Sequence, residues 1–206
     1  MTAETIVTPR TLSFPDSSMY RTSTGIDEKL LIGRLRRELF SRAWGHVLDV
    51  ACGDGANFQY YPADCRITAG DASPFQLSTA RSRGVALGRD IEVRQLDAHN
   101  LPYADDTFDT VVSSLGLCSY ADPIRALKEF ARVVKPDGRI LLLEHGRSSV
   151  RPIAAWQDWS ERRRGDHDGC HTNREPRQLA EAAGLEIVDA RRTFLGVMHS
   201  IEARPR

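Results

Sequence analysis

The 206-residue sequence has no surplus of either charge: 28 Lys and Arg stand against 28 Asp and Glu. A dedicated nucleic-acid binder usually carries a basic surplus, so neutrality argues against that class, although a local patch stays compatible with it. There is no apolar run of about 18 residues, which excludes a membrane-spanning helix. Residues Met1 to Pro15 are polar and lack the apolar core of a signal peptide, so a cytoplasmic location is expected. Cysteines are few, namely Cys52, Cys65, Cys118 and Cys170, and no two form a C-x-x-C pair. Neither a disulfide framework nor a zinc knuckle is therefore expected, and the cysteines read as reduced thiols. What remains is ordinary for a folded domain, with 41% hydrophobic and 27% charged residues. The length suits one α/β domain, so residues 1–206 are read as a single unit whose first 26 residues form a flexible arm or lid.

Between Asp27 and Arg42 the chain changes character. Leu31, Leu35 and Leu39 recur every fourth residue, while Arg34, Arg37 and Glu38 fall largely off that stripe, as in an amphipathic helix packed on a core. Strands and helices then alternate. Strands are expected near His46–Val50, Arg66–Ala69, Ile91–Leu96, Thr110–Ser113, Arg139–Glu144, Leu185–Ala190 and Val197–Ala203. Ser73-Pro74 and Asp122-Pro123 each read as a helix cap followed by proline at the first helical position. Lys135-Pro136-Asp137-Gly138 reads as a turn ending the second of these helices. A helix follows over about Ile153–Arg164, and a last one over Glu175–Ala183 stops at Gly184. Such alternation predicts an α/β, Rossmann-like, doubly wound fold. Its seven-stranded sheet is mainly parallel, with an antiparallel hairpin at one edge and an N-terminal helical lid.

In open sheets of this kind the ligand lies beyond the carboxyl ends of the strands, at the point where the strand order reverses. The strongest local signal sits there: Val47-Leu48-Asp49-Val50-Ala51-Cys52-Gly53-Asp54-Gly55-Ala56-Asn57, a strand feeding a turn of small residues and then a helix start. The dinucleotide fingerprint G-x-G-x-x-G fails, because its third glycine would fall on Phe58. Asp71 lies 22 residues after Asp49, just past the second strand, where an acid can accept from ribose hydroxyls. Asp97 follows the third strand and could accept from an adenine amino group. Each of these acids could instead be an ordinary cap or loop residue, but three at successive strand ends converge on one crevice.

These segments resemble the class I S-adenosylmethionine-dependent methyltransferases. The matching stretches are VLDVACGDGANF (47–58), AGDASPFQLSTAR (69–81), LDAHNLPYADDTFDTVVSS (96–114) and EFARVVKPDGRILLLEH (129–145). The resemblance implies that S-adenosylmethionine is the donor and S-adenosylhomocysteine the product. It places Asp49, Gly53 and Gly55 at the methionyl part and Asp71 at the ribose, with Ala72 beside the adenine. Asp97 and Ala98 then hold the adenine, and Ser113 closes the pocket. Ala51 stands where the family usually has its first glycine. Two subgroups are nearest, the quinone C-methyltransferases and the methyltransferase-like 7 group, which methylates small thiols. The second likeness rests on Leu117-Cys118-Ser119, Glu144-His145, Gly169-Cys170-His171 and Asn173-Arg174-Glu175.

Methyl transfer from a sulfonium is an in-line displacement, so the nucleophile must stand about 3 Å from the methyl with water kept out. A thiol is only a few per cent ionised at pH 7 and needs a base or a positive field. His145, at the end of the fifth strand, is the first candidate base and His171 the second. The segment 166–171 is dense in metal-type donors, yet it lacks a matched second pair, so no metal is expected. Asp54 and Asn57 could orient a substrate or the donor's amino group. Cys118 is read as a small pocket-wall residue, and Tyr20 of the arm as a residue able to close over the site. Trp156 and Trp159 are read as core packing or as a wall of the acceptor pocket, and the Arg162-Arg163-Arg164 run as a solvated face.

A nucleic-acid methyltransferase is disfavoured because Ser113-Ser114-Leu115-Gly116 lacks the (Asp/Asn)-Pro-Pro-aromatic pattern of amino-methylating DNA enzymes. A non-catalytic donor-binding protein and a nicotinamide oxidoreductase are the other rivals. The expectation is S-methylation of a small-molecule thiol by a monomer or homodimer, with O-, N- or C-methylation of a small aromatic, quinone-like or natural-product acceptor as the alternative.

Overall fold

The computed structural model describes residues 32–164 and 169–206. The arm, Tyr20 and the start of the expected first helix lie outside them. In chain order the described elements are α1 (Gly33–Phe40), β1 (His46–Val50), a short 3-10 turn (Phe58–Tyr60), β2 (Arg66–Asp71), α2 (Pro74–Ala86), β3 (Ile91–Gln95), β4 (Phe108–Ser114), α3 (Pro123–Val133), β5 (Val134–His145), α4 (Arg151–Arg164), α5 (Pro176–Ala182), β6 (Glu186–Thr193) and β7 (Met198–Arg204).

The strands form one seven-stranded sheet in the order β3-β2-β1-β4-β5-β7-β6. β1 pairs in parallel with both β2 and β4, β2 with β3, and β4 with β5. The order therefore reverses between β1 and β4, which opens the crevice expected there. The terminal hairpin forms as predicted, but β7 inserts between β5 and β6 and runs antiparallel to both.

Alternate residues of a strand point to opposite faces, so each central strand feeds two cores. Leu48, Val50, Val111, Ile140 and Leu142 pack with Leu127 and Phe130 of α3 and Ala180 of α5. Val47, Ile67, Val112, Leu141 and Leu143 pack on the other side with Leu35, Leu39 and Phe40 of α1 and Leu77 of α2. The described part of the first helix is thus a core layer, as its leucine stripe predicts, and the arm read as a lid lies outside the described residues. Helix starts follow the caps in the sequence. Ser73 Oγ accepts from the Gln76 amide at 3.5 Å, and Asp122 Oδ1 accepts from the Arg125 amide at 3.0 Å. Gly184 follows α5 with φ of +90°, a conformation that side chains resist.

Two local expectations need correction. The turn after β1 leads only into the 3-10 turn, not into an α-helix, so no full helix N-terminus faces the crevice there. The Lys135–Gly138 segment is a bulge inside β5 rather than a break before it. Val134 already pairs with Phe108, and the register shifts before Thr110 meets Arg139.

Candidate active site

The first half of the site lies at the ends of β1, β2 and β3. Ala51 and Gly53 both adopt φ of +55°, in the left-handed region. A Cβ on Gly53 would meet nothing within 4 Å, so space is open above the turn. Gly55 is different: a Cβ there would lie 2.5 Å from the ring of Phe58. The residue that spoils the dinucleotide fingerprint is fully buried under the turn and makes the second glycine obligatory.

Asp71, half-buried at the end of β2, ties this turn to the next. Its Oδ2 accepts from the Gly53 amide at 3.0 Å and its Oδ1 from the Ser73 amide at 2.8 Å. Gln95 Nε2 donates to the Ala72 carbonyl at 3.0 Å, which fixes that residue beside Asp71. Asp97 is exposed and accepts from the His99 amide at 2.9 Å and from His99 Nδ1 at 2.7 Å. Its burial is slight, and the hydrogen bonds from His99 outweigh it, so its carboxyl sits below the ordinary range. Ala98 beside it is buried.

Asp49 lies beneath the turn with no solvent exposure, accepting from Asn57 Nδ2 at 3.2 Å on each carboxylate oxygen. Burial pushes its carboxyl up to about 7, against the pull of the Tyr61 and Asn57 side chains beside it. Asp49 is expected at the methionyl part of the donor, and Asn57 at a substrate or the donor's amino group. In this structure both are sealed and brace the turn from below, because a buried carboxylate satisfied by a neighbour presents no surface to a ligand. Asp54 pairs with Arg83 at 2.8 Å and caps the Ala56 amide, so it is held on α2's side of the turn instead of standing free to orient a substrate.

The second half lies at the ends of β4 and β5. Glu144 is completely buried, and burial raises its carboxyl to about 7. It accepts from Ser113 Oγ at 2.8 Å and from the Leu117 amide at 3.1 Å, so it fixes the loop that follows β4. Ser113, expected to close the pocket, is itself fully buried and acts as Glu144's partner. The same loop is held from the other side by Arg174, whose Nη1 donates to the carbonyls of Leu117 and, at 2.8 Å, Tyr120. The Cys118 carbonyl accepts from the His171 amide at 2.8 Å.

These braces bring Cys118, His145 and Cys170 together, with their donor atoms all within 4.8 Å of one another. His145 Nε2 lies 3.6 Å from Cys170 Sγ. The second pair of donors that segment 166–171 lacks in sequence comes from two distant strand ends. Contact with the Cys118 thiol and with His145 lowers the Cys170 thiol to about 4. Burial pulls His145 down, but the neighbouring Cys170 outweighs it and raises the imidazole. The Cys118 thiol is driven upward by Cys170 and by burial. His145 is the first candidate base, but its Nε2 is already engaged by Cys170.

His171 is turned away from this cluster, with Nδ1 against Glu161 Oε1 at 2.5 Å. Trp156 and Trp159 are 59% and 46% exposed, so the expectation of core packing fails for both. Ala154, Gln157 and Ser160 form the buried side of α4 instead. Arg163 stacks over the Trp159 ring at 4.3 Å. Two surface hollows, of about 50 and 280 Å³, are lined by Leu39, Arg42 and Glu202 and by Asp105, Arg132 and Pro205; neither touches the residues of either half. Sequence reasoning left Glu144, Cys170 and Arg174 without a role. Glu144 did carry a signal, since it is an acid closing the apolar run Ile140–Leu143.

A mainly parallel sheet of this order with β7 antiparallel, a small-residue turn after β1 and an acid at the end of β2 define the class I S-adenosylmethionine-dependent methyltransferases, and the chain belongs to that family. A methyltransferase domain model matches residues 48–142. The mitochondrial methyltransferase OMS1 of Saccharomyces cerevisiae is 30% identical over 205 residues, covering 90% of this chain and 44% of that protein. The human thiol S-methyltransferase TMT1B is 33% identical over 171 residues, covering 74% of this chain and 68% of that protein. The chain thus spans under half of the first relative and about two thirds of the second. Among solved structures, the [4+2]-cyclase SpnF superposes with a TM-score of 0.68 at 20% identity, covering 84% of this chain and 80% of that one. The residues fit the family's donor. Open space over Gly53 accommodates close approach to the turn, and half-buried Asp71 retains lone pairs for ribose hydroxyls.

Proposed function

We propose that the chain transfers a methyl group from S-adenosylmethionine to the sulfur of a small thiol. The observation that carries this reading is the grouping of Cys118, His145 and Cys170 at the ends of β4 and β5, next to the donor half. Similarity to a thiol S-methyltransferase over most of the chain supports it. The bound donor supplies an electrophilic methyl on a sulfonium. The chain's own work is positioning. The turn around Gly53 and the carboxylate of Asp71 hold the sugar end, and the buried Glu144–Ser113–Leu117 bonds fix the loop that faces the acceptor. An acceptor entering over β4 and β5 then stands in line with the methyl. Sulfur and imidazole groups at that edge suit a soft sulfur nucleophile better than a hydroxyl.

The test is release of S-adenosylhomocysteine by the purified protein with matched acceptors: small thiols, the same skeletons as alcohols and amines, and a hydroquinone. Thiols are expected to exceed their alcohol counterparts by about a hundredfold or more. Turnover of the hydroquinone or alcohols in preference to thiols would overturn the acceptor assignment and leave the donor half intact.

A further inference from the structure

The proposed reaction leaves one chemical need unmet. A thiol must lose its proton before it attacks, and His145 is engaged by Cys170 rather than free to take it. The same three side chains offer another route. Two thiols and an imidazole are soft donors of the kind that zinc prefers. Three protein ligands with a fourth position left open is the arrangement of catalytic rather than structural zinc sites. The spacing fits as well. With Zn–S of about 2.3 Å and Zn–N of about 2.0 Å, tetrahedral geometry separates the sulfur and nitrogen ligands by about 3.5 Å. Cys170 Sγ and His145 Nε2 stand 3.6 Å apart, and all three donor atoms lie within 4.8 Å of one another.

The three ligands come from separate parts of the chain, and each is held by bonds that need no ion. Cys118 sits on the loop pinned by Glu144 and Arg174. His145 is in register with Met198 on β7. The backbone next to Cys170 is tied to Cys118 through the His171 amide, and Gln157 Nε2 joins the Gly146 and Thr172 carbonyls at 3.1 and 3.0 Å. A site organised in advance loses less on binding.

Building on the thiol reading above, we propose that Cys118, His145 and Cys170 bind a zinc ion whose fourth position takes the acceptor's sulfur. Coordination releases the thiol proton to solvent and leaves a zinc-bound thiolate. A sulfur lone pair then forms a bond to the donor's methyl carbon as the carbon–sulfonium bond breaks. The bonding pair goes to the donor sulfur, which becomes a neutral thioether. The methylated acceptor, also a neutral thioether, is a weak ligand and departs.

The experiment uses the whole chain, reduced with a non-coordinating phosphine and stripped with a chelator. Cobalt(II) and zinc(II) are the probes. Cobalt is expected to bind in a single equivalent with a sulfur-to-cobalt charge-transfer band, to be displaced by zinc, and to show a changed band when a small thiol is added. Cys170→Ser and Cys118→Ser, each checked for folding by circular dichroism, are expected to weaken cobalt binding about a hundredfold or more. Absence of the band in folded wild type would overturn the metal site, and undiminished thiol methylation by the stripped protein would leave the thiol reading standing without it. A cobalt band that thiols neither change nor compete for would overturn the open-position assignment. If thiols were then not methylated either, the thiol reading would fall with it.

Discussion

The two halves of the site rest on the same device and differ in how they are assembled. Under the donor half lies Asp49, sealed and hydrogen-bonded by Asn57. Under the acceptor half lies Glu144, sealed and hydrogen-bonded by Ser113 and the Leu117 amide. Burial raises both carboxyls to about 7. Above these floors the halves diverge. The donor half is built from residues close to one another along β1 and β2, each at its own strand end. The acceptor half draws Cys118 from the loop after β4, His145 from the end of β5 and Cys170 from the segment before α5, and only tertiary contacts such as the His171 amide bond to the Cys118 carbonyl make them neighbours. A donor shared across a large family can be bound by a local, repeated pattern. The residues proposed to meet the acceptor are ones that only the tertiary fold assembles.

The largest expected effect concerns the two floors. A carboxyl whose folded value is raised from near 3.8 to about 7 holds more protons in the folded state than in the unfolded state over that interval. Its contribution to stability is therefore full below the unfolded value and is lost as pH rises from about 4 to about 7. For Asp49 alone the loss is on the order of 4 kcal/mol. Asp49→Asn should thus be stabilised relative to wild type at pH 8 and not at pH 4, as read by urea unfolding at both values. Glu144→Gln should behave alike. If only one variant shows the pH-dependent gain, the two floors are not equivalent.

The next effect separates the halves. His145→Ala should lower kcat for a thiol by about a hundredfold. Donor affinity should be unchanged. Asp71→Ala should do the reverse: S-adenosylmethionine binds about tenfold more weakly or worse, because ribose hydroxyls and the Gly53 amide lose their acceptor. Equal donor binding by Asp71→Ala and wild type in calorimetry would remove Asp71 from the donor half. The smallest effect sharpens the geometry of the turn. Ala51 holds φ of +55°, which costs an L-residue about 1–2 kcal/mol relative to an unstrained conformation. Ala51→Gly should relieve that strain, and its larger unfolded-state entropy offsets part of the gain. A net stabilisation below about 1 kcal/mol is expected from urea midpoints.

The donor half could be read from the sequence because its signals are local. Small residues after an apolar strand, an acid beyond the next strand and Ser-Pro or Asp-Pro caps each declare themselves within a few positions, and each is found where expected. Ser73 and Asp122 do cap their helices, and Gly184 does end the last one. Apolar runs and alternation likewise identified all seven strands: β1 matches at both ends, while β5 begins at Val134 instead of Arg139 because the segment read as a turn is a bulge within it. The acceptor half was legible only in fragments. Cys170 is separated from His145 by 25 residues, and nothing in the local pattern of either announces the other. Ligand arithmetic within one segment found no matched pair, because the pair lies in other segments. The burial of Asp49 and Asn57 could not be foreseen either. It follows from the turn entering a 3-10 segment instead of a helix, which tucks Asn57 under the strand end. Trp156 and Trp159 misled because large aromatic residues are usually buried, whereas on α4 the smaller Ala154 and Ser160 and the amide of Gln157 face inward.

The division of labour between the halves is tested most directly by titrating S-adenosylmethionine calorimetrically into wild type and Cys170→Ser side by side. Independent halves predict dissociation constants equal within about twofold. A weakening of about tenfold or more in the variant would place Cys170 within the donor's own site and contradict that division.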